Sequence, residues 1–596
     1  MSEESVEKLD DIECKDYLEL LKHAKRIMKQ RIDWKSGKRI AVIGSHSIQH
    51  FVSVLRLLLY KEGILADLYE GEYNGISMDV LDENSALHKF KPNIVIIMTY
   101  YNDIKVFPGL LATKEEIQQC LSNNMSYYKN LWTCLSKIEG CHIFQTNFVL
   151  PPTRELGNLE ANYLYSRSSF YRLLNQELAK TRPTNVNIVD MDTLASNVGK
   201  YAWFDYTSYF LNKTGFAMQF IGYVADLFVK QIKSLTGATK KCLVLDLDNT
   251  LWGGVVGDDG YDGIQVDPNN SVGEAYRFFQ EYILGLKNRG VILAVCSKNE
   301  LDTAKEPFLK NDNMIIKMDD ISCFIANWED KVSNIRRIAN ELNIGIDSLV
   351  FFDDNPAERE IVKKYLTEVQ VVNVPEDPAY YALALEQANP FDWMQITKED
   401  LVRSASYVEN QKRLLLENSF VNYDEYLASL EMVGTIGKIE RAHVERFAQL
   451  INKSNQFNLR TQRYSEAAIE QMRKDPNTRC IYVQLKDKFS DYGIISCIII
   501  KKINTICFID TWLMSCRILK RGVEDFTFNA IIDVSLAMHC DKIVGEYIPT
   551  KKNAMVEDFY EVMGFTKIKA VDGIDSVGTL YVYTDLTKFV KKNHIT

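Results

Sequence analysis

The stretch that decides the fold of the middle of the chain reads Lys241-Cys-Leu-Val-Leu-Asp-Leu-Asp-Asn-Thr250. Its apolar residues 242–245 predict a buried strand of a parallel sheet, and two aspartates, Asp246 and Asp248, follow that strand directly. Open α/β sheets place their chemistry at the carboxyl ends of their strands. Because two neighbouring carboxylates need a cation or a proton to coexist there, the pattern predicts a functional site rather than ordinary core.

Around this stretch the sequence predicts three domains, spanning residues 1–236, 237–395 and 396–596. The first alternates apolar runs with helical patterns, which favours an α/β fold with strands at 39–43 and 93–98 and helices at 154–180 and 215–233. The second has the same rhythm, with strands at 242–245, 291–296 and 348–352 and helices at 272–288 and 331–342. A helical stretch at 398–416 leads into a strand-rich third domain with a helix at 523–538.

The composition excludes several classes of protein. The chain has 596 residues, of which 46% are hydrophobic and 25% charged, as in ordinary globular domains. A net charge of −10 argues against a nucleic-acid partner. The N-terminus lacks the layout of a signal peptide, and uncharged stretches such as 493–500 are far below the ~20 residues that cross a bilayer. These features predict no membrane partner. The twelve cysteines include no CxxC pair, which suggests neither a zinc site nor a disulfide framework, so we expect a cytoplasmic location.

Four side chains of the second domain stand where phosphoryl chemistry needs them. Asp246 can attack a phosphorus atom in line, and Asp248 can protonate the leaving oxygen and later deprotonate water. Ser297 follows the predicted strand 291–296 and can donate to a phosphoryl oxygen. Lys331 begins a predicted helix and can neutralise charge on the transferring group.

A second acidic stretch, Phe351-Phe-Asp-Asp-Asn-Pro356, predicts a metal site. Asp353 and Asp354 would join Asp246 and Asp248 in an oxygen cage suited to Mg²⁺. Any one of these fragments alone is commonly a solvated turn or a helix cap. All of them in this order, each at a strand end or a helix start, resemble the haloacid dehalogenase (HAD) phosphohydrolases. About 45 residues separate Thr250 from Cys296, so the resemblance implies a lidless HAD fold.

The third domain resembles the GNAT acyltransferases, an α+β fold. Asn553, Tyr560 and the pair Gly564-Phe565 are similar to a late GNAT motif, and Arg517 to Gly522 stand where these proteins hold a pyrophosphate at a helix start. The resemblance implies acyl or pantetheine binding by Arg517, Gly522, Asn553 and Tyr560. However, Lys520 replaces the first glycine and crowds that approach, so the phosphopantetheine arm of a carrier protein is an alternative guest to coenzyme A, and a scaffold is a third possibility.

The first domain resembles the SGNH hydrolases. Ser45 would be the nucleophile and Asn102 the oxyanion donor. Tyr100 stands where that family has glycine, and no histidine occurs between His142 and His443, so the Asp-x-x-His base expected near Asp205 is missing. A serine without a base is a poor nucleophile, which predicts a structural or docking role.

The order of the three domains resembles the FkbH-like family. The resemblance is carried by the stretches Asp246-Leu-Asp-Asn-Thr-Leu-Trp-Gly-Gly-Val255, Cys296-Ser-Lys-Asn299, Asn327-Trp-Glu-Asp-Lys331, Asn452-Lys-Ser-Asn-Gln-Phe-Asn458, Ser515-Cys-Arg517 and Gly545-Glu-Tyr-Ile-Pro-Thr-Lys-Lys-Asn553. It implies that a glyceryl unit from 1,3-bisphosphoglycerate loses phosphate and is loaded on the thiol of an acyl carrier protein for polyketide-type biosynthesis. The small phosphorylated substrate and the acyl carrier protein would then be its partners.

Three alternatives for the transfer stay open at this point. An acyl-enzyme would use Cys296, next to Ser297, or Cys516, beside Arg517 at a helix start; direct transfer needs neither. Basic residues that stand out from the acidic chain favour a docking face for an acidic carrier: Lys453, Arg460, Arg517, Lys520, Arg521, Lys551 and Lys552. The competing functions are a HAD phosphatase for a small metabolite, with scaffold domains on either side, and a non-catalytic protein that docks a carrier.

Overall fold

The computed structural model describes residues 16–163, 166–235, 239–396, 398–401, 420, 422–454, 456–515, 518–519, 521–550, 552–591 and 595. The chain divides into two compact units. One comprises residues 1–232 with 464–469, and the other comprises residues 233–463 with 470–596. The predicted boundaries at 236 and 395 stay a prediction.

The first unit contains a parallel sheet of five strands in the order β2-β1-β3-β4-β5. The strands are β1 Lys38–Gly44, β2 Ala66–Glu70, β3 Ile94–Met98, β4 His142–Thr146 and β5 Val186–Val189. The helices are Tyr17–Ile27, Gln49–Lys61, Ile76–Leu81, Ala86–Phe90, Lys114–Leu135, Arg167–Thr181, Met191–Val198, Lys200–Trp203, Tyr206–Asn212 and Ile221–Leu235. The central strand β3 is buried throughout, as its run of apolar residues predicts.

The second unit begins with another five-stranded parallel sheet, in the order β10-β9-β6-β7-β8. Its strands are β6 Cys242–Leu245, β7 Ile292–Ser297, β8 Cys323–Ala326, β9 Leu349–Phe352 and β10 Gln370–Val371. Its helices are Val256–Gly263, Ser271–Asn288, Leu301–Lys310, Lys331–Glu341, Pro356–Tyr365, Tyr381–Ala388 and Lys398–Leu401. Because β6 lies between β9 and β7, the carboxyl ends of these three strands meet at one edge of the sheet.

The same unit continues with a mixed sheet of seven strands in the order β11-β12-β13-β14-β15-β17-β16. These are β11 Val433–Lys438, β12 Thr478–Lys486, β13 Asp491–Ile503, β14 Ile506–Met514, β15 Lys542–Tyr547, β16 Thr566–Ile568 and β17 Thr579–Tyr583. Neighbours are antiparallel except β14 and β15, which run parallel. The helices of this part are Tyr423–Ser429, Val444–Lys453, Glu466–Lys474, Val523–Ala537 and Phe559–Val562.

These sheets confirm the predicted fold class, two parallel α/β sheets followed by an α+β domain. The helix predicted at 154–180 begins only at Arg167, because Gly157 has a left-handed φ of 56° and the Ser166 side chain caps the first turn through Ser169 N. The helix predicted at 398–416 is described only over Lys398–Leu401. Within the described ranges, no helix combines the length and the apolar character required to cross a bilayer.

Candidate active site

Three carboxylates converge at the edge of the sheet where β6 and β9 end. Asp246 follows β6, and Asp353 and Asp354 follow β9. One oxygen of each lies within 4.8 Å of the others. The backbone joins them as well, since Asp246 N donates to Phe352 O at 3.0 Å. A compact group of carboxylate oxygens is the ligand set that hard divalent cations prefer, so these residues fit a metal ion.

Lys331 supplies a buried positive charge to this group. It begins the helix Lys331–Glu341 after β8, and only 3% of its side chain is exposed. Its Nζ lies 3.0 Å from Asp246 Oδ1 and also contacts Asp353 Oδ2. Burial opposes a charged ammonium, yet Asp246 and Asp353 hold the pKa of Lys331 above its ordinary value. One lysine therefore faces three acids.

The excess of negative charge raises the pKa of two of the acids, Asp353 and Asp354. Burial and the charge of Asp246 raise the pKa of Asp353 to about 7, despite its contact with Lys331. Burial and Asp246 also raise the pKa of Asp354, although Thr250 Oγ1 donates to its Oδ1 at 3.2 Å. Two like charges that are costly to ionise together gain from a divalent cation between them. The raised pKa values therefore favour a bound cation, as does the group of carboxylate oxygens.

The carboxylate of Asp248 lies outside the three-acid group. Its Oδ1 accepts hydrogen bonds from Trp252 Nε1 and Val256 N, both at 2.9 Å, and its Oδ2 accepts one from Asn299 Nδ2 at 2.7 Å. The sequence placed this side chain among the metal ligands. In the structure its oxygens accept from three protein donors and do not belong to the three-acid group, so a role as metal ligand stays a prediction.

The turn after Asp248 depends on a left-handed residue. Asn249 has a φ of 53°, a conformation that asparagine tolerates better than most residues. Its side chain accepts from Gly254 N at 3.0 Å, and its carbonyl accepts from Tyr276 and Tyr381 hydroxyls. The chain then forms a short flap, in which Gly253 and Gln265 exchange backbone hydrogen bonds around the helix Val256–Gly263.

Ser297 ends β7 and is buried at the same edge of the sheet. Asn299 Nδ2 lies 3.3 Å from Ser297 Oγ and also donates to Asp248, so one amide links the serine to the second aspartate. Sequence reasoning gave no role to Asn299, Trp252 or Thr250. Each lies inside a motif quoted for its family resemblance, but no local pattern shows which side chains donate to the aspartates.

Cys296 is a core residue rather than a nucleophile. Alternation along β7 turns its side chain to the face opposite Val295, where it packs with Cys242 and Cys323 at 0% exposure. Burial raises the pKa of its thiol to about 12, so a thiolate is disfavoured. This placement removes Cys296 from the candidates for an acyl-enzyme. Cys516, the other candidate, lies outside the described residues, as does Arg517.

The remaining residues assigned to acyl or pantetheine binding are structural where they are described. Gly522 has a φ of 75° and stands directly before the helix Val523–Ala537. Asn553 is fully buried and holds a turn, accepting from Thr550 N at 2.7 Å and donating to Ile548 O at 3.0 Å. Tyr560 is also fully buried, its ring packed on Gly545, and burial raises the pKa of its hydroxyl. No exposed acyl site is formed by these three residues.

The described members of the expected basic docking face are neutralised within the protein. Arg460 pairs with Asp510 and Glu546, and Lys552 pairs with Asp347. Arg521 donates to the hydroxyl of Tyr492 at 2.7 Å and lies 3.6 Å from a carboxylate oxygen of the buried Asp487. The other members are Lys520, Lys551 and Arg517, which lie outside the described residues, and Lys453, whose side chain is not described.

In the first unit, two of the residues that the hydrolase resemblance singles out, Asn102 and Asp205, bond to neighbouring parts of the fold. Asn102 Nδ2 donates to the hydroxyl of Tyr209 at 3.3 Å, and Asp205 caps the helix Tyr206–Asn212 through Ser208. His46 follows Ser45 in sequence, and burial lowers the pKa of its imidazole to about 4. The structural or docking role expected for this part of the chain stays a prediction.

Comparison with known proteins identifies the class. Residues 39–233 match the family described as FkbH, N-terminal domain. A crystal structure of the N-terminal part of a Bacteroides fragilis protein, containing a phosphatase domain complexed with Mg, is 33% identical, with a TM-score of 0.57 over 63% of this chain and 99% of that one. No curated protein matches the chain.

Two acetyltransferases are similar over a quarter of the chain. One is Ard1 from Thermoplasma volcanium, 16% identical over 25% of this chain and 95% of that one, with a TM-score of 0.20. The other is a GNAT-family acetyltransferase from Staphylococcus aureus, 14% identical over 26% of this chain and 99% of that one, with a TM-score of 0.22.

The three-acid group, Lys331 and Ser297 at the edge of a parallel sheet, together with the Bacteroides relative, define a phosphatase domain of the HAD type. The chain belongs to the FkbH-like family.

Proposed function

We propose that this protein is a Mg²⁺-dependent enzyme that removes phosphate from an activated glyceryl donor and loads the acyl group on the thiol of an acyl carrier protein. The observation that carries the phosphoryl chemistry is the convergence of Asp246, Asp353 and Asp354, the first two of which also contact the Nζ of Lys331. The Mg²⁺ bound to the phosphatase domain of the Bacteroides relative supports the choice of metal. The choice of donor and carrier follows from the family resemblance.

Each residue has a definite part in this reaction. The carboxylate of Asp246 attacks the phosphorus atom of the ester phosphate on C3 of the donor, forming an aspartyl phosphate as the bond between phosphorus and the C3 oxygen breaks. The acyl phosphate on C1 is left intact for the transfer to a thiol. Asp248, held by Trp252 and Asn299, exchanges a proton with the leaving group and then with the attacking water. Asp246, Asp353 and Asp354 would hold Mg²⁺, which offsets the negative charge of the phosphoryl group when it is bound.

Lys331 and Ser297 complete the site. The ammonium of Lys331 is already beside the nucleophile, so it can counter charge that develops on the phosphoryl oxygens. Ser297 ends β7 at the same edge and can donate its hydroxyl proton to one of those oxygens. In the acyl transfer a thiolate attacks the carbonyl carbon, and the bond to the C1 phosphate breaks with release of inorganic phosphate. Because Cys296 is buried, the attacking thiol would be that of the carrier itself or that of Cys516, which would then pass the acyl group to the carrier.

The proposal is tested with full-length protein, Mg²⁺, 1,3-bisphosphoglycerate and candidate carrier proteins bearing their phosphopantetheine arm. Phosphate release is measured in solution, and the mass of each carrier is measured by mass spectrometry. We expect phosphate release and a carrier heavier by one glyceryl group. Asp246→Asn should abolish both, whereas Asp258→Asn, an exposed acid of the flap, should change neither.

The outcomes separate the alternatives. Phosphate release with no carrier modification would support an ordinary phosphatase for a small metabolite. Absence of phosphate release from every phosphorylated substrate would support a non-catalytic docking protein, and would contradict the role assigned to Asp246.

A further inference from the structure

The parallel strands β14 and β15 of the third domain separate part of the way along their length. They pair only between residues 506–509 and 542–545. From Asp510 onwards β14 continues without β15 beside it, so the backbone groups on that side of β14 do not pair with β15. We call the space between the two separating strands the cleft. Extended ligands that contain amide groups, as the pantetheine arm does, bind by adding to such an open strand edge. The resemblance to acyltransferases makes this cleft the natural place to look for coenzyme A or a carrier arm.

The chain itself occupies this cleft. We call residues 457–460 the strap. Leu459 N donates to Trp512 O at 3.4 Å, and Met514 N donates to Phe457 O at 3.2 Å, so the strap bonds to the free edge of β14. On its other side, Ile548 N, just beyond β15, donates to Leu459 O at 2.9 Å. The strap therefore uses backbone groups that an arm in the cleft would need.

The strap is also packed as core. Phe457, Asn458 and Leu459 are 5%, 1% and 0% exposed. The carbonyl of Asn458 accepts from Asn553 Nδ2 at 2.9 Å, and its side-chain oxygen accepts from Thr461 N at 2.8 Å. Asn553, which the sequence suggested for acyl binding, is thus one of the residues that fasten the strap.

Arg460 fixes the end of the strap to both separating strands. Its Nε donates to Glu546 Oε2 at 2.6 Å, and its Nη1 donates to Asp510 Oδ1 at 3.0 Å and to Asp510 O at 3.1 Å. Glu546 is 0% exposed and Asp510 is 4% exposed. Lys501 also reaches Asp510, at 2.9 Å. The two carboxylates are buried, one on each strand, and they share the guanidinium of Arg460 as a counter-ion. Removing that cation would leave buried negative charge uncompensated, which is strongly unfavourable.

We infer that the strap is a permanent occupant of the cleft between β14 and β15, so that the third domain binds neither coenzyme A nor a phosphopantetheine arm there. The residues present do not fit the cofactor that the fold resemblance implies. Any carrier arm used by this protein must then be received on another surface. This inference does not depend on the proposed reaction, and its tests measure no activity.

The first test is hydrogen exchange of the full-length protein, followed by mass spectrometry of peptides that cover Leu459, Met514 and Ile548. We expect these amides to exchange as slowly as the core of the same sheet. Coenzyme A and free phosphopantetheine, each at millimolar concentration, should leave their exchange unchanged. Ligand binding with unchanged exchange would place the ligand elsewhere and agree with the inference. Saturable binding that alters the exchange of these peptides would overturn it, as would fast exchange of the strap without ligand.

The second test weakens the contacts of Arg460 with Asp510 and Glu546, which we call the clamp, without removing the positive charge. Arg460→Lys keeps one cation but loses the fork that reaches both carboxylates. Losing one charge-assisted hydrogen bond should speed exchange of the strap by about ten- to a hundredfold. Arg460→Leu should do more and lower the urea midpoint of the protein. Arg479→Leu is the matched control, because Arg479 is a half-buried arginine of β12 that donates to the carbonyls of Pro476 and Thr478. Unchanged strap exchange in Arg460→Lys would refute the clamp.

Discussion

Replacing Asp353 by asparagine should stabilise the metal-free protein. Asp353 is fully buried, and burial together with the charge of Asp246 raises its pKa from 3.8 to about 7. A carboxyl group with a raised pKa holds its proton longer in the folded state than in the unfolded chain. The stability that this proton provides is complete below about pH 4 and is lost as the pH rises through about 7.

The magnitude follows from the same pKa values. At about 1.4 kcal/mol for each tenfold change in proton affinity, raising the pKa from 3.8 to about 7 costs about 4 kcal/mol once the group is ionised. Asp353→Asn imitates the protonated form. We therefore expect the variant to exceed the wild type in free energy of unfolding by up to about 4 kcal/mol at about pH 8 in a chelator, and by little near pH 4.

The assay is urea unfolding at several pH values, with either a chelator or Mg²⁺. Mg²⁺ should stabilise the wild type at about pH 8 by binding only the folded state, and it should not stabilise Asp353→Asn. Asp258→Asn, an exposed acid of the same domain, is the control and should behave as the wild type. A variant less stable than the wild type in chelator at about pH 8, or equally stabilised by Mg²⁺, would refute the reasoning.

Three further substitutions test the site through phosphate release. Lys331→Met should lower kcat by about 10²- to 10³-fold because the buried cation beside Asp246 is lost, and near-normal turnover would contradict this. Trp252→Phe removes one of three donors to Asp248, so kcat should fall about tenfold with an unchanged Kd for Mg²⁺; a weakened Kd would place Asp248 at the metal. Cys296→Ala should keep near-normal carrier loading and phosphate release, and loss of loading alone would restore the thiol as nucleophile.

The sequence by itself determined the positions of the main catalytic candidates. The apolar run of β6 ends at Leu245, directly before Asp246, and β9 ends in the same way directly before Asp353. Both strands are buried on their two faces, so their composition alone marks their ends. Ser297 was expected just past its strand and is instead the last residue of β7, a shift of one position that leaves it at the same edge.

Only the tertiary structure decided what each side chain contacts. Asp248 meets Asn299 across 51 positions of sequence, and Arg460 meets Glu546 across 86. Such partners depend on the order of strands in the sheet and on how the chain between them packs, which no local pattern encodes. For the same reason Arg460, counted from sequence as part of a basic docking face, is in the structure a half-buried side chain paired with two buried carboxylates. Strand ends follow from local hydrophobicity, whereas charge pairing is settled by packing between distant segments.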